Sequence, residues 1–131
     1  MNKRLDNQID LSKFTFLVVE DDEFYYLYLK LILSKVCKRL VRAEKGEEAL
    51  SLADNEHFDV ILVDYNLPEM NGVEVTRQIR KLQPEAVIIM QSALNNPDKH
   101  QQAIDAGCNE CMMKPIKLER IVKVIEKVLN P

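Results

Sequence analysis

VILVDYNLPEMNG, residues 60–72, is a run of mostly β-branched apolar residues that stops on a carboxylate, Asp64, and turns at once through Tyr-Asn-Leu-Pro. Four apolar residues without polar alternation suit a strand covered on both faces, the habit of a parallel sheet. An aspartate at the end of such a strand has an ordinary use, because its short side chain caps turning backbone. A chemical use requires that other reactive residues end other strands in the same way.

Working outward, residues 14–19 (FTFLVV), 87–90 (VIIM) and 111–113 (CMM) are further apolar runs of strand length, and residues 39–43 are the best place for one more. Helical periodicity fills the intervals. It is clearest at the end, where Leu118, Ile121, Val122, Ile125 and Leu129 share a face and Lys117, Glu119, Arg120, Lys123, Glu126 and Lys127 occupy the others. GEEALSLA from Gly46, VEVTRQIRKL from Val73 and DKHQQAIDAG from Asp98 are weaker versions, and FYYLYLKLILSKV from Phe24 is apolar on more faces than one. The order is strand then helix, five times, which predicts an α/β fold with a parallel sheet covered on both sides. Gly46 and Gly72 stand at helix starts, Gly107 stands where a helix should end, and Pro68, Pro84, Pro97 and Pro115 fall in connections.

At 131 residues the chain suits one domain, expected over 13–131, with residues 1–12 as a polar N-terminal extension or linker. A net charge of −3 gives no general attraction to nucleic acid or to anionic membrane, so neither is an expected partner. No apolar run has the length of a membrane span, and the start MNKRLDNQIDLSKF is polar, so a cytoplasmic protein is expected. Three cysteines, an odd number, are more easily free thiols than a disulfide framework.

Ligands of open parallel sheets bind outside the carboxyl ends of the strands, where the winding direction changes. The first strand runs into Glu20-Asp21-Asp22, the third into Asp64, the fourth into Ser92 and the fifth into Lys114-Pro115. Carboxylates about 4 Å apart repel by roughly 1 to 4 kcal/mol, so clustering Glu20, Asp21 and Asp64 calls for a cation. With oxygen ligands only and a phosphate to share, the expected ion is Mg²⁺, and Asn66 can add its backbone carbonyl. Asp64 is then the nucleophile that attacks phosphorus, Lys114 the point charge on a phosphoryl oxygen and Ser92 a hydrogen-bond donor to another. Asp22 stands at the start of a helix, where an N-cap is its expected work.

Taken together, FLVVEDDE, DVILVDYNLPEMNGVE, VIIMQSA and MMKPI resemble the four signature segments of response-regulator receiver domains of two-component signalling, and the likeness runs from Phe14 to Leu129. The resemblance implies a doubly wound (βα)5 flavodoxin-like fold with strand order 2-1-3-4-5. It implies Asp64 as phosphoacceptor, Glu20 and Asp21 as the metal-binding pair, Ser92 as the switch hydroxyl, Lys114 as the phosphate-contacting lysine and a cis peptide before Pro115. The implied activity is self-phosphorylation from a phosphohistidine donor, a sensor histidine kinase or a histidine-phosphotransfer domain, with slow self-dephosphorylation. That is a switch rather than a turnover enzyme.

The sequence departs from the pattern twice. Receivers usually carry Tyr or Phe three residues before the lysine; this chain has Cys111, which cannot fill the space of a ring and leaves open signalling through the face of the fourth helix, fifth strand and fifth helix. Cys108 and Cys111 also form a lone CNEC, a pair without two further zinc ligands. The first helix is the second departure: a broad core face with snorkelling tyrosines is one reading, and docking of a phosphodonor helix or a second copy through Tyr25, Tyr26, Leu29 and Leu33 is the other. Three rivals remain. A haloacid-dehalogenase-like phosphatase would need a second aspartate where Tyr65-Asn66 follow Asp64; a pseudo-receiver, a pure interaction module, would lack an acceptor, acid or lysine; a nucleotide-binding Rossmann domain would need a glycine-rich loop after the first strand. A free single-domain regulator, a hybrid histidine kinase and a longer regulator are all parents that such a domain fits.

Overall fold

The computed structural model describes residues 9–93 and 96–131. A 3-10 turn, Leu11–Lys13, leads into β1 (Thr15–Val19), followed by α1 (Glu23–Leu33), β2 (Arg39–Ala43), α2 (Gly46–Asn55), β3 (Val60–Asp64), α3 (Gly72–Leu82), β4 (Val87–Ser92), α4 (Pro97–Ala106), β5 (Glu110–Met113) and α5 (Leu118–Leu129). The strands form one sheet in the order β2-β1-β3-β4-β5, every neighbouring pair parallel. This is the doubly wound fold expected from the sequence.

Alternation along each strand divides the core. Leu17, Val19, Ile61, Val63, Ile88 and Met90 face Ala49, Ala53, Val75, Ile79, Ala103 and Ala106 of α2, α3 and α4. Phe16, Val18, Val60, Leu62, Val87 and Ile89 face Leu29 and Leu33 of α1 and Ile121, Val122 and Ile125 of α5. All five residues of β3 are buried, which is why its sequence shows no polar alternation. Beyond β1 the chain first turns to β2 on one side and later to β3 on the other, so the winding changes hand between β1 and β3.

The local chemistry of the ends follows. Asp22 is the N-cap of α1, accepting from the amide of Phe24 at 3.0 Å. Asn71 and Asn96 cap α3 and α4 in the same manner. Pro97, expected in a connection, is instead the first residue of α4, where no amide hydrogen is needed. Gly107 ends α4 at φ 118°, the left-handed conformation that favours glycine. β4 outruns its apolar residues by two, because Gln91 and Ser92 still pair with Met112 and Met113 of β5. Ahead of the expected start at residue 13, Leu11 packs into the α1/α5 side of the core; residues 1–8 of the expected extension lie outside the described residues.

One sequence expectation is corrected here. Leu29 and Leu33, expected as docking residues, are fully buried against the sheet. Tyr25 turns its hydroxyl inward to Gln91 and Ile116, and Tyr26 lies under the Arg42 guanidinium, 4.4 Å from the ring centroid. The apolar residues that α1 leaves in solvent are Phe24 (82% exposed), Leu27 (47%) and Leu31 (71%), a stripe at helical spacing. No helix among the described residues is long and apolar enough to cross a membrane.

Candidate functional site

Three strand ends meet at the carboxyl edge of the sheet. Glu20, one residue past β1, is held by its own amide donating to the Ala43 carbonyl at 2.9 Å, and its side chain is fully buried. Its Oε2 accepts from the amide of Asp22 at 3.1 Å. Asp64 ends β3 with one carboxylate oxygen accepting from the amide of Asn66 at 3.3 Å. Glu20, exposed Asp21 and Asp64 each bring an oxygen within 4.8 Å of the others, a group that could hold a metal ion.

Lys114, just past β5, reaches across to both buried acids: its ammonium is 3.0 Å from Glu20 Oε1 and 3.2 Å from Asp64 Oδ2. Its amide donates to the Ser92 carbonyl at 2.8 Å, which ties the lysine to the end of β4. Ser92 is buried one residue beyond the Asp64–Gln91 register pair. The Lys114–Pro115 peptide is cis, as the resemblance implies.

The electrostatics are those of a site short of positive charge. Burial first, and then the charge of Asp64, push the Glu20 carboxyl up to about 7, against the opposing pull of Lys114 and the Asp22 amide. Burial works to lower the Lys114 ammonium, but Glu20 and Asp64 more than offset it and raise its pKa, so it stays charged. Among the described residues one lysine therefore serves two buried carboxylates, Glu20 and Asp64, with exposed Asp21 beside them. An all-oxygen donor set with three carboxylates gathered within 4.8 Å fits a hard divalent cation.

A pH dependence follows. Protons and the cation compete for Glu20, so affinity for a divalent ion should fall as pH drops through about 7, by up to about tenfold per unit, and level off above it. In the metal-free fold the sign is reversed: the Glu20 contribution is fully present below about 4.5 and is lost as pH rises through about 7. Calorimetric titration with Mg²⁺ at pH 6 and pH 8 measures the first effect; equal affinities would mean that Glu20 is no ligand.

The remaining sequence candidates divide. Asn66 is exposed beside Asp64, its amide engaged with that carboxylate. Cys111 lies half-buried in β5 and, with Ser92, Met113, Lys117, Arg120 and Lys123, lines a cleft of about 610 Å³. Burial pushes the Cys108 thiol up to about 12 and raises Cys111 as well, so neither is a ready thiolate, and neither joins a metal-binding group among the described residues. Sequence reasoning placed Tyr25 at a partner surface and passed over Gln91; both belong to this site. Tyr25 stacks under Lys114, its ring centroid 4.5 Å from the ammonium.

Comparison with known proteins agrees with the geometry. Residues 16–126 match the family described as response regulator receiver domain. The chain is 33% identical over 113 residues to the chemotaxis protein CheY of Thermotoga maritima, spanning 86% of this chain and 94% of that protein. A CheY-like receiver structure from Methanospirillum hungatei superposes with a TM-score of 0.82 at 28% identity, covering 90% of this chain and 98% of that one. A response regulator from Burkholderia pseudomallei, solved with a phosphorylated aspartic acid, a calcium ion and citrate, gives 0.81 at 27% identity over 91% of this chain and 76% of that one.

Proposed function

This chain belongs to the response-regulator receiver domain family, and from that premise we propose that it takes a phosphoryl group from a phosphohistidine donor onto Asp64 in a Mg²⁺-dependent step and thereby changes its affinity for a partner. The observation that carries the reading is the convergence of three carboxylate oxygens within 4.8 Å, with the Lys114 ammonium 3.2 Å from Asp64. A carboxylate oxygen of Asp64 attacks phosphorus, the P–N bond to the donor imidazole breaks, and that nitrogen keeps the electron pair. Glu20, Asp21, Asp64 and the Asn66 carbonyl would hold Mg²⁺, which when bound supplies positive charge to the phosphoryl oxygens. Lys114 neutralises one such oxygen and Ser92 donates a hydrogen bond to another. The acyl phosphate adds about −1.5 to −2 charges at pH 7, and slow hydrolysis at the same site resets the switch.

The donor is a sensor histidine kinase or a histidine-phosphotransfer domain in the cytoplasm. Its docking surface is the Phe24, Leu27 and Leu31 stripe of α1, which begins three residues after Asp21 and so runs outward from the site. A second copy of the chain is the other occupant that such a stripe accepts. The receiver unit is 13–131. One observation favours a second reading, a pseudo-receiver that only binds partners: Cys111, at the position where receivers usually carry Tyr or Phe, is a half-buried residue lining an open cleft.

Intact-mass spectrometry after incubation with acetyl phosphate, with and without Mg²⁺, tests the proposal. The expected product carries one phosphoryl group, forms only with Mg²⁺, and maps to Asp64 by borohydride trapping and peptide analysis. No adduct under conditions that preserve acyl phosphates would sink the phosphoacceptor and leave the pseudo-receiver.

A further inference from the structure

Building on the receiver reading, we infer that Tyr25 is a positioning residue of the phosphoryl-transfer site, holding Lys114 with its ring face and the backbone just past Lys114 with its hydroxyl, and that Gln91 is its anchor in the sheet. Three contacts made by one side chain support this. The Lys114 ammonium stands 4.5 Å from the Tyr25 ring centroid. The Tyr25 hydroxyl accepts from the amide of Ile116 at 3.1 Å. The same hydroxyl donates to Gln91 Oε1.

The cost of the arrangement argues for its use. Gln91 lies on the strand face whose other β4 members, Val87 and Ile89, are core residues against α1 and α5. It is wholly buried, and its Nε2 has no hydrogen-bond partner among the described residues. A leucine would avoid an unsatisfied buried amide, which is expensive. What Gln91 does is give the Tyr25 hydroxyl an acceptor, which fixes the proton on that side and leaves a lone pair for the Ile116 amide. Burial also raises the phenol pKa, so the hydroxyl keeps its proton at any working pH. Tyr28 completes the clamp by donating to the Ile116 carbonyl at 2.7 Å. Both peptide groups of Ile116 are thereby fastened to α1.

The consequence is geometric. A lysine is a point charge on a flexible four-carbon stem, and on phosphorylation Lys114 must leave carboxylate oxygens for a phosphoryl oxygen. An aromatic face beneath the ammonium and a fixed backbone just beyond it limit the positions it can take. Misplacement of a catalytic charge by about 1 Å costs on the order of 100-fold in rate.

The test compares the native chain with Tyr25→Phe, Tyr25→Leu and Gln91→Leu. Acetyl phosphate labelling at saturating Mg²⁺ should slow about 10- to 100-fold in Tyr25→Leu and about three- to tenfold in Tyr25→Phe and Gln91→Leu, while the Mg²⁺ dissociation constant stays within about threefold. By nuclear magnetic resonance, the ring-current shift of the Lys114 ε-methylene should vanish in Tyr25→Leu and survive in Tyr25→Phe. Exchange of the Ile116 amide should accelerate about tenfold or more in Tyr25→Phe. Labelling rates within twofold of native in both Tyr25 variants, or rates that fall only in parallel with Mg²⁺ affinity and melting temperature, would overturn the inference. If the native chain itself takes no phosphate, the receiver reading fails, and the resonance and exchange measurements still decide whether Tyr25 positions Lys114.

Discussion

Lys114→Ala should slow phosphoryl uptake at Asp64 by about 100-fold or more and, in the same variant, cost the metal-free fold about 2–4 kcal/mol. The two effects have one origin. Lys114 is the only cation within 4 Å of the buried Glu20 and Asp64 carboxylates among the described residues, at 3.0 and 3.2 Å. Without it two adjacent acids share a pocket with no counter-charge, and the pair relaxes by protonating or opening. The cost is set below that of a wholly buried pair because the lysine side chain keeps 18% of its exposure. A labelling time course measures the first loss, and urea unfolding at pH 7 without divalent ions the second. Added Mg²⁺ should stabilise the variant more than the native chain, since it replaces a charge that the native chain already has. A stability change below about 1 kcal/mol would show that water screens the acids and that Lys114 is not their compensating charge. Lys114→Arg should not restore the rate, because a planar guanidinium spreads its charge over a wider fork.

Gly72→Ala should destabilise the fold by about 3 kcal/mol or more and displace Asp64. A Cβ at Gly72 would stand 2.2 Å from the Asp64 carbonyl oxygen and 2.9 Å from the Tyr65 Cα. These are backbone atoms at and just past the end of a strand buried along its whole length, and Gly72 also donates its amide to the Tyr65 carbonyl at 2.8 Å. The start of α3 is laid directly on the end of β3, so neither side can rotate away. The gain of about 1 kcal/mol that alanine brings to a helix does not offset such a clash. Gly46→Ala is the comparison: the three atoms nearest its Cβ belong to side chains, Val75 Cγ2 at 2.6 Å and Met70 Sδ and Cβ at 3.3 and 3.4 Å, so the Val75 side chain must shift but none of these three contacts is with backbone. Its cost should be clearly smaller. Chemical denaturation of both variants, with labelling of the folded fraction, checks the pair; equal costs would mean that α3 tilts off β3 freely.

Much of this architecture was legible in the chain. Continuous apolar runs ending on Asp64 and on Glu20-Asp21 are what a two-sided parallel sheet produces, and the topology then brings their ends together. The run at 39–43 marked β2 at its observed bounds. Gln91 and Ser92 were left out of β4 because polar residues interrupt an apolar count, whereas pairing with β5 is what extends a strand. The first helix failed for a different reason. In FYYLYLKLIL more than one face is apolar, so periodicity cannot say which face turns inward. The choice is made by Gln91 and Ile116, 66 and 91 residues from Tyr25 in the chain, through hydrogen bonds that no local pattern encodes. The carboxylates could be found by type and position; the tyrosine that organises the lysine could not.

The sheet order gives the site two parts of unequal tenure. Glu20, Asp21 and Asp64 hang from β1 and β3, neighbours at the centre, while Lys114 hangs from β5, a four-residue edge strand with one partner. An edge with half the pairing is released at lower free energy than the centre. A chain whose β5 and α5 have peeled away would keep side by side the three acids that could hold a metal ion, yet would have lost the Lys114 charge beside them. On the proposed function, metal capture would therefore report that the middle of the sheet exists, and phosphate capture that the whole of it does.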